Sequence, residues 1–147
     1  MSLKNLIQDD MKTAMRAKDA DRLSAIRLLF AAIRQREIDE RVELDDANIV
    51  AVVEKLIKQR KDSASQYQAA NRPELAAKEQ AEIEVLSAYM PQAMSADEIT
   101  AMIRQAVAET GAAGAKDMGK VMAWLKPRLA GRADMTAVSA QVKAALL

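Results

Sequence analysis

The sequence contains no cysteine and no histidine. These two absences exclude disulfides, thiolate nucleophiles, imidazole bases and the common zinc sites. Aromatic residues make up 3% of the chain, so a core must come from Leu, Ile, Val, Met and Ala. Four glycines and three prolines are too few for a turn-rich β architecture. No apolar run approaches the ~20 residues that a membrane helix needs. The opening "MSLKNLIQDD" lacks the apolar segment of a secretory leader. A cytoplasmic protein without membrane attachment is the expectation. The net charge is +1, so no global field draws the chain onto a polyanion, and DNA is not an expected partner.

What the sequence does contain is helix-forming residues in helical register. Ala, Leu, Met, Gln, Glu, Lys and Arg dominate, and these lose least on entering a helix. Apolar residues recur every three to four positions nearly throughout. Leu3, Leu6, Ile7, Met11 and Met15 mark a first helix, with Ser2 as its N-cap. Leu23, Ile26, Phe30 and Ile33 mark a second, running to about Arg41. Ile49, Val53, Leu56 and Ile57 open a long third helix that ends near Tyr67. In "AANRPE", Asn71 is expected to cap a fourth helix with Pro73 in its first turn. That helix carries Leu75, Ile83, Leu86 and Tyr89 and stops before Pro91.

Pro91, followed by Ser95 and Glu98 in capping-box spacing, marks a boundary. Ile99, Met102, Ile103 and Val107 form a fifth helix that closes at Gly111. A sixth ends at Gly131, and Asp134 caps a seventh with Val138, Val142 and Leu146 facing inward. The expected fold is all-α. A bundle of about four helices (residues 1–91) precedes a smaller three-helix unit (residues 95–147).

Catalytic constellations are scarce. The serines fall at caps or on helix surfaces, and no histidine is present to activate one. Lys61 lies two residues from Ser63, a spacing that diverges by about 200° on a helix. The acidic pairs Asp9–Asp10 and Asp45–Asp46 read as helix-end or capping groups. Without strands there is no strand–loop–helix phosphate cradle. No catalytic residue, metal ligand or cofactor is assigned. Arg60, at the core margin of the third helix, needs a carboxylate partner, and Glu79 or Glu82 can supply it. Arg27 is expected to pair with Glu37 or with a neighbouring helix. Tyr67 and Tyr89 are expected at the core edge with hydrated hydroxyls.

The stretch "KDMGKVMAWLKPRLAGRADM" (116–135) departs from this pattern. Lys116, Lys120, Lys126, Arg128 and Arg132 stand against a single acid, Asp117, between 116 and 132. At 100° per residue, Met118, Val121, Met122, Leu125 and Leu129 share one face. Lys116, Lys120, the chain's only tryptophan (Trp124) and Pro127 lie opposite. Gly119 would be a helix-interior glycine, which suggests close approach of another molecule. Trp124 then either packs on the preceding helices or meets a ligand.

Two blocks carry a resemblance that spans essentially the whole chain. One runs from "RKDS" (60–63) to Pro91, the other from "KDMGKVM" (116–122) to "GRAD" (131–134). The chain resembles the YqeY family, which is similar to the C-terminal tail of the GatB subunit of tRNA-dependent amidotransferases. In those enzymes the amidase and kinase chemistry lies outside the tail, and the tail contacts tRNA. The resemblance therefore implies a non-catalytic tRNA-binding or amidotransferase-associated module. The family's link to carbon–nitrogen ligases that use glutamine as amide donor comes from the larger enzyme. The RNA-binding residues expected are Lys116, Gly119, Lys120, Trp124, Arg128 and Arg132. An amidotransferase subunit or a synthetase is a possible protein partner. The alternative is a protein-interaction adaptor that binds no RNA.

Overall fold

The computed structural model describes residues 2–147 and is all-helical among them. Seven α-helices follow one another: α1 (Leu3–Arg16), α2 (Ala20–Glu40), α3 (Asp46–Ala69), α4 (Pro73–Ser87), α5 (Ala96–Thr110), α6 (Met118–Leu129) and α7 (Met135–Ala145). A single 3-10 turn at Ala115–Asp117 leads into α6. The chain divides into two compact units between Met90 and Pro91. Four helices build the first and three the second.

Local chemistry sets most of the helix ends. The Ser2 hydroxyl accepts from Asn5 N–H at 3.2 Å and the Asp45 carboxylate from Asn48 N–H at 2.9 Å. Ser95 accepts from Glu98 N–H at 3.1 Å and Asp134 from Thr136 N–H at 3.0 Å. Each bond satisfies an amide that the first turn leaves unpartnered. Gly111, at φ +66°, and Gly131, at φ +73°, end α5 and the turn after α6 in the left-handed region. Asn71 differs from expectation. It also takes positive φ (58°), but it closes the turn after α3, and Arg72 is the residue that precedes Pro73. A short amide side chain tolerates that conformation well, so the same residue type served the preceding helix instead of the following one.

The first unit's core is aliphatic: Ile7, Ile26, Leu29, Ile33, Ile49, Val53 and Leu86 are almost completely buried. Leu6 and Met15 of the expected α1 stripe are exposed, and Ala14 is buried in their place. Polar links join elements distant in sequence, among them Leu3 N–H donating to Asp46 Oδ1 at 3.0 Å. The Lys4 ammonium donates to both Glu37 carboxylate oxygens, at 3.0 and 2.9 Å, and Leu44 N–H donates to Glu37 Oε2 at 3.0 Å. The Arg60 guanidinium meets Glu82 at 2.9 Å, one of the two partners the sequence allowed. The Tyr89 hydroxyl donates to Asp10 Oδ2 at 2.7 Å. That bond replaces two expectations, a hydrated Tyr89 hydroxyl and Asp10 as a helix-end group, because Asp10 lies mid-way along α1. Burial, followed by the adjacent carboxylate, holds the Tyr89 phenol well above its ordinary range. Arg27 is exposed and makes no ion pair among the described residues, since Glu37 is taken by Lys4.

Glu37 gives a pH dependence. The Leu44 amide, then Lys4, lower its carboxyl below the ordinary 4.5. A carboxyl with a depressed folded-state pKa contributes stability that is present above its unfolded value and lost as pH falls through the folded one. Melting temperature should therefore fall as pH drops below about 4.5. Glu37→Gln should flatten that acid limb in a series of thermal melts. An acid limb unchanged by the substitution would remove Glu37 as its source.

The second unit buries Ile103, Ala106, Val121, Leu125, Leu129, Val138 and Val142. Met94 N–H donates to Arg132 C=O at 2.9 Å, which fastens the segment before α5 to the turn after α6.

Candidate nucleic-acid interface

α6 presents its apolar stripe to α5 and α7, with Val121, Leu125 and Leu129 completely buried. Helical geometry then turns Lys120 and Trp124 away from that stripe, and Lys116 stands in the 3-10 turn that leads into the helix. Lys116 and Lys120 are exposed, and Trp124 is half-buried. Around the indole the structure adds what the wheel did not contain. The Arg128 guanidinium carbon lies 3.8 Å from the centroid of the Trp124 ring, and its Nη1 donates to Trp124 C=O at 2.6 Å. A planar cation stacked on an indole gains from the ring's negative face and stays ordered at the surface. At the indole's edge Nε1–H donates to Glu109 Oε2 on α5 at 3.0 Å, and Gln105 holds the other Glu109 oxygen at 3.1 Å. The indole is thus fixed between an arginine on its face and a carboxylate at its edge.

Asp117 immediately precedes α6, and its side chain turns back to the preceding loop instead of capping the helix. Its Oδ2 accepts from Ala113 N–H at 2.9 Å, while Oδ1 lies 3.8 Å from the Lys120 ammonium. The Ala113 amide, then Lys120 and Lys116, lower the Asp117 carboxyl, so it is a fixed anion between the two lysines. Lys120 remains two-thirds exposed despite this contact, so its charge stays available to solvent.

Gly119 lies elsewhere than expected. Because the 3-10 turn occupies Ala115–Asp117, α6 begins at Met118 and Gly119 sits in its first turn, not in a helix interior. A Cβ added there meets no atom within 4 Å. Nothing inside the protein requires a glycine. Gly119→Ala should therefore raise stability by about 0.5 kcal/mol through the unfolded chain's lost freedom. If an RNA backbone approaches at this point, the same variant should bind it more weakly while melting higher, measurable by paired melts and titrations.

Of the six expected residues, Lys116, Gly119, Lys120, Trp124 and Arg128 share α6 and its leading turn. Arg132 lies beyond Gly131, half-buried, with its Nε donating to Gln92 C=O at 3.0 Å. Pro127 does not end the helix, which continues to Leu129. Sequence reasoning missed Glu109. Its signal was available only as an acid fifteen residues before the indole, with no local pattern joining the two.

A family model described as "Yqey-like protein" matches residues 4–146. Among curated proteins, "Altered inheritance of mitochondria protein 41, mitochondrial" of Saccharomyces cerevisiae strain S288c is 39% identical over 89 residues. That match covers 60% of this chain and 48% of the relative. The protein of the same name from Lachancea thermotolerans is 39% identical over 93 residues, covering 63% of this chain and 50% of the relative. The Vanderwaltozyma polyspora protein of that name is 38% identical over 85 residues, 57% of this chain and 46% of the relative. The chain spans about half the length of the curated relatives it matches. Among the described residues no helix is long and apolar enough to cross a membrane.

Proposed function

This chain belongs to the Yqey-like protein family, and from that premise we propose that it is a non-catalytic module that binds structured RNA, tRNA in particular, through α6. The observation that carries the reading is the stacked Trp124–Arg128 pair beside the exposed Lys116 and Lys120. The two lysines supply phosphate contacts, and an ordered indole–guanidinium stack offers a surface on which an unpaired base can pile. The similarity to the amidotransferase tail points the same way and adds no catalytic group. Arg132 contributes less than its charge suggests, because part of its guanidinium is committed to Gln92. A cytoplasmic location belongs to this proposal; the yeast relatives carry a mitochondrial name.

With about three to five phosphate contacts, affinity should be modest and fall about twenty- to five-hundredfold on moving from about 50 to 200 mM salt. Lys120→Glu should weaken binding to bulk tRNA by roughly tenfold, in a filter-binding titration at low salt, because it converts an attraction to a repulsion. Retention of full affinity by this variant counts against the interface.

A second reading is favoured by Glu109. A carboxylate at the edge of the indole opposes an approaching phosphate and suits a protein partner, such as an amidotransferase subunit, that donates to it. Capture of the same protein from a lysate with and without nuclease separates the two. Loss of the partner on nuclease treatment supports RNA, and unchanged recovery together with no tRNA binding supports the adaptor.

A further inference from the structure

The first unit contains a helix with two apolar faces. α2 buries Ile26, Leu29 and Ile33 in the core, yet Leu28 and Ile38 on the same helix are 47% and 65% exposed. An amphipathic helix normally shows one apolar stripe, so the second is unpartnered. Its register is informative. Ser24, Leu28, Ala31, Gln35 and Ile38 alternate in steps of four and three, the a/d spacing of a coiled-coil seam, and all five are exposed. Assigning Leu28 to position a places Arg27 and Arg34 at successive g positions. Arg41, the left-handed residue that caps the helix, follows one heptad later.

The electrostatics of this face are one-sided. Arg27 and Arg34 are exposed, and neither makes an ion pair among the described residues; Arg36, on the other flank, is held by Glu40 at 3.0 Å. The e positions opposite are Ala25, Ala32 and Asp39, of which Ala25 is buried and Asp39 is engaged by Gln35 at 2.9 Å. Along the arginine side, Ala20, Leu23, Ser24, Arg27, Leu28 and Ala31 of α2 form an open surface that no other element covers. The seam thus has two apolar knobs and a row of unpaired cations on one edge.

From this geometry we infer that the outer face of α2 is a docking site for an amphipathic helix with aliphatic a and d residues and acidic residues on the flank that meets the arginines. Charges at the seam's edge select partner and orientation. A second copy of this chain fits badly. An antiparallel pair sets g against g, arginine row against arginine row, and a parallel pair matches only Arg34 with Asp39. An anionic membrane also fits badly, because Gln35 stands in the middle of the stripe with Asp21 and Asp39 beside it. From Ser24 to Ile38 the seam is about 21 Å long, two heptads of helix. The site is independent of the RNA reading of α6 and of its failure.

The test uses the full chain and a synthetic peptide of about three heptads with Ile at a, Leu at d and Glu at e and g. A matching peptide with Lys at e and g is the control. Titration at neutral pH should show saturable binding of the glutamate peptide with a gain of helical circular dichroism, and none of the lysine peptide. Arg27→Glu/Arg34→Glu should weaken binding at least about tenfold, and Leu28→Asp should abolish it. These positions are exposed, so both variants should melt as the parent does, which separates lost docking from lost folding. No binding, equal binding of the lysine peptide, or affinity indifferent to the arginine reversal overturns the inference. Dimerisation in sedimentation velocity that Leu28→Asp removes, or capture by phosphatidylserine vesicles that Leu28→Asp removes, overturns it in favour of self-association or a membrane.

Discussion

Leu125→Ala is expected to lose about 3 kcal/mol, the middle of the range for emptying a buried leucine site. Leu125 is completely buried in a cluster that draws on α5, α6 and α7. The second unit runs only from Pro91 to Leu147. At about 0.05–0.15 kcal/mol per residue, a unit of that size has roughly 3–9 kcal/mol to lose. The substitution therefore takes a large share, and at the lower end it takes all of it. Trp124, the one tryptophan, lies in this unit and reports its unfolding by fluorescence. With a slope near 1.5 kcal/mol/M, the urea midpoint of that signal should fall by roughly 2 M. A shift under about 0.5 M would mean that the site collapses around the gap, contrary to the packing described.

Arg60→Ala is expected to cost about 2–3 kcal/mol, somewhat under the range for stripping one partner from a fully buried pair. The Arg60 and Glu82 side chains are 13% and 16% exposed, so the abandoned carboxylate would be largely dry. Nη1 of the same guanidinium also donates to Leu56 C=O at 3.3 Å. The loss thus combines an unpaired anion with a missing hydrogen bond. Replacing both partners, as Arg60→Met/Glu82→Leu, should recover most of it, because well-packed apolar groups avoid the desolvation penalty. Urea titrations of the single and double variants measure the difference. A double variant no better than Arg60→Ala would show that the pair contributes through packing rather than charge. Neither change should alter binding at α6, which lies in the other unit.

How legible these features were depended on their range. The caps at Ser2, Ser95 and Asp134, and the glycine at 111, answer to chemistry within three or four residues, so sequence alone located them, whereas Asp45 was read only with Asp46 as a helix-end or capping pair. Arg60 was legible because its inward register and an antiparallel fourth helix left two possible carboxylates. Asn71 was misplaced because a residue that tolerates positive φ suits the end of one helix as well as the start of the next. Lys4–Glu37 and Tyr89–Asp10 join residues 33 and 79 apart, and no local pattern encodes such pairings. At the candidate interface the wheel put Lys116, Lys120 and Trp124 on one side. It could not place Glu109 against the indole, because that depends on how α5 packs. Nor could it show the Arg128 guanidinium drawn over the face of Trp124, which depends on side-chain conformation.

The solitary tryptophan makes the central claim directly measurable. Titrating the full chain with tRNA at about 50 mM salt, while following intrinsic fluorescence, reads the surroundings of Trp124 on α6. The account predicts saturable quenching of Trp124, reversed by raising salt to about 200 mM and displaced to higher tRNA concentration in Lys120→Glu. Fluorescence that stays constant while tRNA is bound elsewhere, or no binding at all, would contradict it.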